Sequence, residues 1–219
     1  MIQYEKIYVT HYSPLTERKK RLEDFFNKNN LNVEWVENEN VEKGFYEENS
    51  EEWNRKIKIA YPTDKTPPRE LLKTEVSVAV KHYECFKRIA ESNHEYAVIF
   101  EDDVVFNDSF IKDYPRYMSQ TPHEWDAIFF GNGSFLRINN ATKDKLAYML
   151  KFPTTRCLDS YIIKKSACEK ILEDLKPITL PIDFELSYSF IKNNLKVCWW
   201  EPSLTNQGSQ IRLYKSSIR

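Results

Sequence analysis

Three consecutive acids, Glu101-Asp102-Asp103, stand between the apolar runs Val98-Ile-Phe100 and Val104-Val-Phe106. Adjacent carboxylates at the end of a buried strand repel one another and resist desolvation. A hard divalent cation such as Mg²⁺ offsets both effects because such ions take oxygen ligands. Glu101 and Asp103 are one residue apart, so in an extended chain they point the same way. That spacing predicts Asp103 on the ion directly, with Glu101 on the ion, on a metal-bound water or on a nucleotide ribose. Asp102 belongs to the same cofactor-binding cluster. A cation held this way suits a nucleotide diphosphate, because it neutralises charge on a leaving phosphate as a Lewis acid. The plain alternative is a solvated turn, and the apolar flanks speak against it.

The acids need elements to position them. Tyr96-Ala-Val-Ile-Phe100 is a continuous apolar run, as expected of a central parallel strand buried on both faces. In open α/β sheets ligands bind beyond the carboxyl ends of the strands, and the acids follow this strand at once. Lys6–Thr10 reads as the first strand. Ser13 followed by Pro14 reads as a helix start, with Leu15, Leu22, Phe25 and Phe26 on one face. Leu31–Trp35 alternates and reads as a second strand, and a strand, helix and strand in succession suggest a parallel sheet. Helical spacing of Val76, Val80, Tyr83, Phe86 and Ile89 predicts a helix between Glu70 and Ser92. Trp125–Phe130, Ser160–Ile163 and Leu195–Trp200 read as further strands. Ser166 and Glu169 form a capping box for a helix carrying Ile171, Leu172 and Leu175. A last helix is expected over Phe184–Lys192, with Asp183 as its N-cap. Residues 38–69 lose periodicity and carry Pro62, Pro67 and Pro68, which predicts an insertion or long loop.

Composition narrows the classes. The 219 residues fit a single domain over 1–219, and a net charge of −1 gives no global field toward nucleic acid. Only four glycines are present, with no Gly-rich phosphate loop, and the four cysteines show no C-x-x-C pair. No signal peptide and no run of about 18 apolar residues is seen, so a cytoplasmic chain, free or peripheral to a membrane, is expected.

With these pieces in place the sequence resembles glycosyltransferase family 25, which includes lipooligosaccharide and procollagen galactosyltransferases. Ile7-Tyr-Val-Thr10 with Arg18 and Arg21 is similar to the family's opening strand and arginine-bearing helix. Glu75 through His82 resembles its Glu-x-Gly-Cys-x-x-Ser-His segment, and Glu101-Asp-Asp103 its Asp-x-Asp variant. Tyr161, Asp183 after Leu180-Pro181, and Pro202 through Ser209 match later landmarks. Ser77 and Val78 depart from the pattern where it has Gly and Cys, and Lys81 where it has Ser.

The resemblance implies a GT-A-type α/β fold with a mainly parallel, Rossmann-like sheet flanked by helices. It also implies a UDP-sugar donor, Mn²⁺, and transfer of a hexose, galactose or glucose, to an acceptor hydroxyl with inversion. The acceptor would be a glycan, a lipooligosaccharide or a hydroxylysine-type protein. Inversion needs a base for the acceptor proton, and Asp183 is the first candidate and Glu185 the second. Asp183 as a plain N-cap is the alternative. Thr10 would face the uridine, and Arg18 a phosphate or the base, although an Arg18–Arg21 solvated helix face is the simpler reading. His82 would orient the metal site or the donor, or simply be packed. Glu75, Gln207 and Ser209 match landmarks expected at the donor or metal site. Tyr161 with Asp159 would line the acceptor cleft, or Tyr161 would be core. The basic segment 206–219, with Arg212, Lys215 and Arg219, would close over the diphosphate or form a mobile tail over 209–219. Two rivals stand beside this reading: a metal-dependent sugar nucleotidyltransferase and a non-catalytic nucleotide- or glycan-binding module of the same fold.

Overall fold

A computed structural model describes residues 6–37, 71–176 and 178–216. The expected insertion at 38–69 and the tail residues 217–219, Arg219 included, lie outside the described residues. The core is a seven-stranded sheet in the order β2-β1-β3-β7-β5-β8-β6. Its strands are β1 (Ile7–Thr10), β2 (Glu34–Val36), β3 (Tyr96–Glu101), β5 (Ala127–Phe129), β6 (Ala147–Met149), β7 (Ser160–Lys164) and β8 (Val197–Trp200). β1 pairs in parallel with β2 and β3, and β5 with β8, whereas β7 and β6 run against their neighbours. Five strands therefore share one direction, which is the mainly parallel α/β architecture expected. A separate ribbon pairs β4 (Val104–Phe106) with β9 (Thr205–Gln207), antiparallel.

Strand alternation divides the core into two layers, as the two-residue period requires. Tyr8, Ala97, Ile99, Ala127, Phe129, Tyr161, Ile163 and Val197 face α2 (Lys73–Glu91), α4 (Lys165–Asp174) and α5 (Ile182–Lys192). Ile7, Val9, Val98, Phe100, Ile128, Ile162, Cys198 and Trp200 face α1 (Thr16–Lys28) and α3 (Phe110–Gln120). Both faces are covered, which is why the central strands read as unbroken apolar runs.

Local differences from the sequence reading have local causes. A turn in which the Leu15 N–H donates to Tyr12 precedes α1, so the helix begins at Thr16 rather than at Pro14. The capping box at Ser166 and Glu169 does not form: it would begin the helix at Ala167, whereas α4 starts two residues earlier, at Lys165, with Lys164 at the N-cap position. α5 begins at Ile182 after Pro181, so Asp183 is the second helical residue and not the N-cap. α3 carries Pro115 in its interior, which hides it from a pattern that treats proline as a stop. Three-residue strands β4, β6 and β9 exist only through long-range pairing.

Candidate active site

Every strand that runs with β1 ends at the same sheet edge, and β7 begins there. This brings Thr10, Glu101, the Gly131 turn, Asp159 and Glu201 to one rim. The chain does not continue extended through the acids. β3 ends at Glu101, a turn follows over Asp102–Asp103, and β4 starts at Val104. The three carboxylates consequently part company.

Asp102 turns toward α1. Its Oδ1 accepts from Arg18 Nη1 at 2.8 Å, and its Oδ2 from His11 Nδ1 at 2.9 Å and the Tyr12 N–H at 3.1 Å. Burial opposes its ionisation, but the hydrogen bonds from His11, Arg18 and Tyr12 outweigh that and hold its pKa below the ordinary value. An ionised carboxylate only accepts, so His11 Nδ1 carries the proton. Asp102 thus braces β3 against the chain from His11 to α1, and it also lines the cleft at the acids.

Arg18 is held from both ends. Its second terminal nitrogen donates to the Lys215 carbonyl at 2.9 Å, and the guanidinium lies 4.8 Å from the Tyr214 ring centre. Two of its five N–H donors are thus taken by the protein, while the side chain still lines the smaller cleft. The same contacts fasten residues 214–215 to α1, so the described part of the C-terminal segment packs at the site.

Asp103 and Glu101 face the other way. Asp103 Oδ2 accepts the Ser209 N–H at 3.2 Å, its backbone carbonyl accepts the Gly208 N–H at 2.7 Å, and its buried Oδ1 has no partner. Gly208 is required there, since a Cβ would stand 2.7 Å from the Asp103 carbonyl and from the Tyr214 ring. Burial raises the Asp103 pKa, with Asp102 adding to the rise against the Ser209 hydrogen bond. Burial and then the charges of Asp103, Asp102 and Asp183 push Glu101 well above the usual carboxylate range.

Behind Glu101 stands a fully buried pair. His82 Nε2 lies 3.3 Å from Glu101 Oε1, and Nδ1 lies 2.8 Å from the Tyr161 hydroxyl. Burial, reinforced by Lys81, holds the imidazole down to about 3, so it is neutral. With Glu101 ionised, Nε2–H donates to the carboxylate and Nδ1 accepts from Tyr161. His82 therefore orients Glu101, and Tyr161 is core and second support at once.

Asp159 completes the acidic rim. It is wholly buried, its Oδ2 accepts from Ser160 Oγ at 3.1 Å, and its Oδ1 has no partner. Its carboxylate lies so close over Gly131 that a Cβ there would sit 2.1 Å from Oδ2. Burial, then Glu101 and Asp103, raise its pKa to about 8.

Two adjoining cavities open at this rim. The larger, about 450 Å³, is lined by Glu75, Glu101, Ser134, Cys157, Asp183 and Phe184 among others. The smaller cleft, about 80 Å³, is lined by Thr10, His11, Tyr12, Arg18, Lys81 and the three acids. Glu101, Gln207 and Ser209 line both. Burial raises the Asp183 pKa, and its Oδ1 accepts the Phe184 N–H at 3.0 Å. Glu75 also braces its own helix, its Oε2 accepting the Leu72 N–H at 2.8 Å.

Glu185 does not reach the larger cavity. Its Oε1 accepts from Thr179 Oγ1 at 2.6 Å and from the Leu180 N–H at 2.7 Å, so it fixes the turn before α5.

A cation fits the chemistry of the rim: Asp103 and Asp159 each keep one buried oxygen without a partner, and Glu101 and Asp103 are strained toward the neutral form. Among the described residues no cluster of three or more His, Cys, Asp or Glu already converges on a single point.

The glycosyltransferase family 25 (LPS biosynthesis protein) model matches residues 4–186. The chain belongs to this family. It is a glycosyltransferase, and the family resemblance read from the sequence is shown over residues 4–186. The family match ends before Gln207 and Ser209, yet β9 returns both to the rim beside Asp103. Comparison with curated proteins gives no match. Among solved structures, the chain is similar to A197 from STIV, with TM-score 0.45, 15% identity, and coverage of 91% of this chain and 81% of that one. It is also similar to S. aureus TarS 1–349, with TM-score 0.48, 12% identity and 96% of this chain covered; the match spans 62% of the TarS chain. A third is a glycosyltransferase involved in glycosylation of the major capsid of PBCV-1, with TM-score 0.43, 11% identity, and coverage of 92% and 91%. No helix of the described residues is long and apolar enough to cross a membrane.

His11, Asp159 and Lys81 are the residues that sequence reasoning underrated. His11 carried a usable signal, since it directly follows the first strand at the ligand-binding end. Asp159 did not, because only an antiparallel β7 brings its start to this rim.

Proposed function

We propose that this chain transfers a hexose, galactose or glucose, from a UDP-sugar to a hydroxyl of a glycan, lipooligosaccharide or hydroxylysine-type acceptor, with inversion. The observation that carries the reading is the rim itself. Glu101 lines both of two contiguous cavities, Asp103 lines the smaller with one unpartnered oxygen, and Asp183 lines the larger. The smaller cleft, about 80 Å³ and lined by Thr10 and the acids, has room for the phosphates alone, and the rest of the donor and the acceptor would share the larger cavity.

Asp103 and Glu101 would hold Mn²⁺ or Mg²⁺, which when bound supplies Lewis-acid stabilisation of the leaving diphosphate. His82 and Tyr161 keep the Glu101 carboxylate in one orientation. Asp183 takes the proton of the acceptor hydroxyl as that oxygen attacks the anomeric carbon. Burial raises its proton affinity, which suits a base working near neutral pH. Ser209 and Gly208 clasp Asp103 through backbone N–H groups and so tie β9 to the donor side.

The test is UDP release from a panel of UDP-sugars, with and without Mn²⁺, on wild type and Asp103→Ala. Metal-dependent release from one sugar, lost in the variant, is the expected result. Absence of both UDP release and UDP binding would sink the reading.

A further inference from the structure

We propose that Tyr214 is a positioning residue for the cation site, an inference that rests on the metal-assisted reading above. Its ring, laid against the Arg18 and Arg21 guanidinium groups, holds the chain after β9 so that Ser209 grips Asp103. Beyond Gln207 the pairing with β4 has ended, and the turn that follows bonds largely to itself. The Ile211 N–H donates to the Gln207 carbonyl, and the Leu213 and Tyr214 N–H groups to the Gly208 carbonyl. Such internal bonds shape a turn without seating it on the fold. Ile211 and Leu213 stand out toward solvent, at 44% and 51% exposure, whereas Tyr214 turns inward.

The first helix and the C-terminal chain meet at that ring. Its centre lies 4.8 Å from the Arg18 guanidinium carbon and 5.6 Å from that of Arg21, both on α1. An aromatic face attracts a guanidinium electrostatically and by stacking. Both arginines are themselves fixed at the acidic turn, Arg18 by Asp102 and Arg21 by the Val104 carbonyl. The ring also packs on Gly208, where a Cβ would stand 2.7 Å from Tyr214 Cδ2. From there the Gly208 N–H donates to the Asp103 carbonyl and the Ser209 N–H to Asp103 Oδ2. A path of contacts thus runs from α1 through Tyr214 to the carboxylate that keeps its Oδ1 open. A carboxylate whose other oxygen is already held loses less orientational freedom when an ion arrives. A tyrosine that served the fold alone would change stability and leave cation affinity as it was, and this separates the two roles.

The experiment titrates nucleotide-free protein with Mn²⁺ into the millimolar range, reading the free ion by electron paramagnetic resonance. It uses wild type, Tyr214→Ala, Tyr214→Leu and Tyr214→Phe, with urea unfolding of each alongside. Tyr214→Leu keeps apolar bulk without a ring face, and it serves should the Ala variant not fold. The expected result is Mn²⁺ affinity weakened about 10- to 100-fold in the Ala and Leu variants. Tyr214→Phe keeps the ring and should stay within about twofold of wild type. Lower urea stability with Mn²⁺ affinity unchanged, or a Phe loss equal to that of Ala, would overturn the role of Tyr214 while leaving the cation reading in place. Wild-type protein that takes up no Mn²⁺ would overturn the cation reading, and the role of Tyr214 with it.

Discussion

Two clusters of buried charge sit within the same fold and are built on opposite plans. Around Arg156 every nitrogen has an acceptor: Nε and Nη2 reach the Leu136 carbonyl, Nη1 the Trp200 carbonyl, and Nη2 also Glu201 at 2.6 Å. Glu201 accepts the Ile138 N–H as well. At the acidic rim, like charges face one another and two buried carboxylate oxygens, on Asp103 and Asp159, are left without partners. A charge buried for structure has its bonds completed by the protein. Buried carboxylates with bonds open call for a partner, and in the function proposed above that partner is the cation.

The contrast can be broken from either side. The largest effect is expected at Asp183. Asp183→Asn should lower turnover about 10²- to 10⁴-fold with little change in KM. A base must be ionised, so wild-type rate falls as pH drops through the Asp183 pKa. Burial raises that pKa, so the acid limb lies above the ordinary aspartate range, and it disappears in Asp183→Asn. A loss of less than tenfold would move the base elsewhere.

Arg156→Met tests the completed cluster. It strands the Glu201 carboxylate in the core, and urea unfolding should register a loss of about 3–5 kcal/mol. A loss below about 1 kcal/mol would remove the distinction between the two clusters.

Asp159→Asn should do the reverse. The folded-state pKa near 8 lies above the unfolded value, so the folded protein binds a proton that the unfolded chain has lost between about pH 4 and 8. Wild-type stability therefore falls as pH rises through that window. In the presence of a chelator the Asn variant should be more stable than wild type at pH 8, on the order of 1–3 kcal/mol, with the gap closing toward pH 4. A destabilised variant at pH 8 would mean the carboxylate serves the fold.

Much of the frame was legible because its physics is local. Tyr96–Phe100 and Trp125–Phe130 announce central strands through burial on both faces, and the acids announce the rim because they follow one of those strands at once. What escaped depends on contacts made across the fold. Asp183 and Glu185 share the first turn of α5 and look alike in sequence. Only the Thr179–Leu180 turn, whose donors capture Glu185, separates them. Asp102 likewise reads as a ligand alone until the fold brings His11, just after β1, and Arg18, on α1, against it. The antiparallel course of β7, which sets Asp159 beside Glu101, is a pairing choice that no apolar run encodes.

The most direct measurement is the melting temperature with UDP and Mn²⁺ added separately and together, for wild type and Asp103→Asn. Ligands that bind the folded state stabilise it by mass action, about 2.7 kcal/mol at a hundredfold excess over Kd. Wild type is expected to gain clearly more from UDP and Mn²⁺ together than from either alone, and Asp103→Asn to lose that joint gain. No joint gain in wild type, or an equal one in the variant, would contradict a metal-assisted nucleotide site at Glu101 and Asp103.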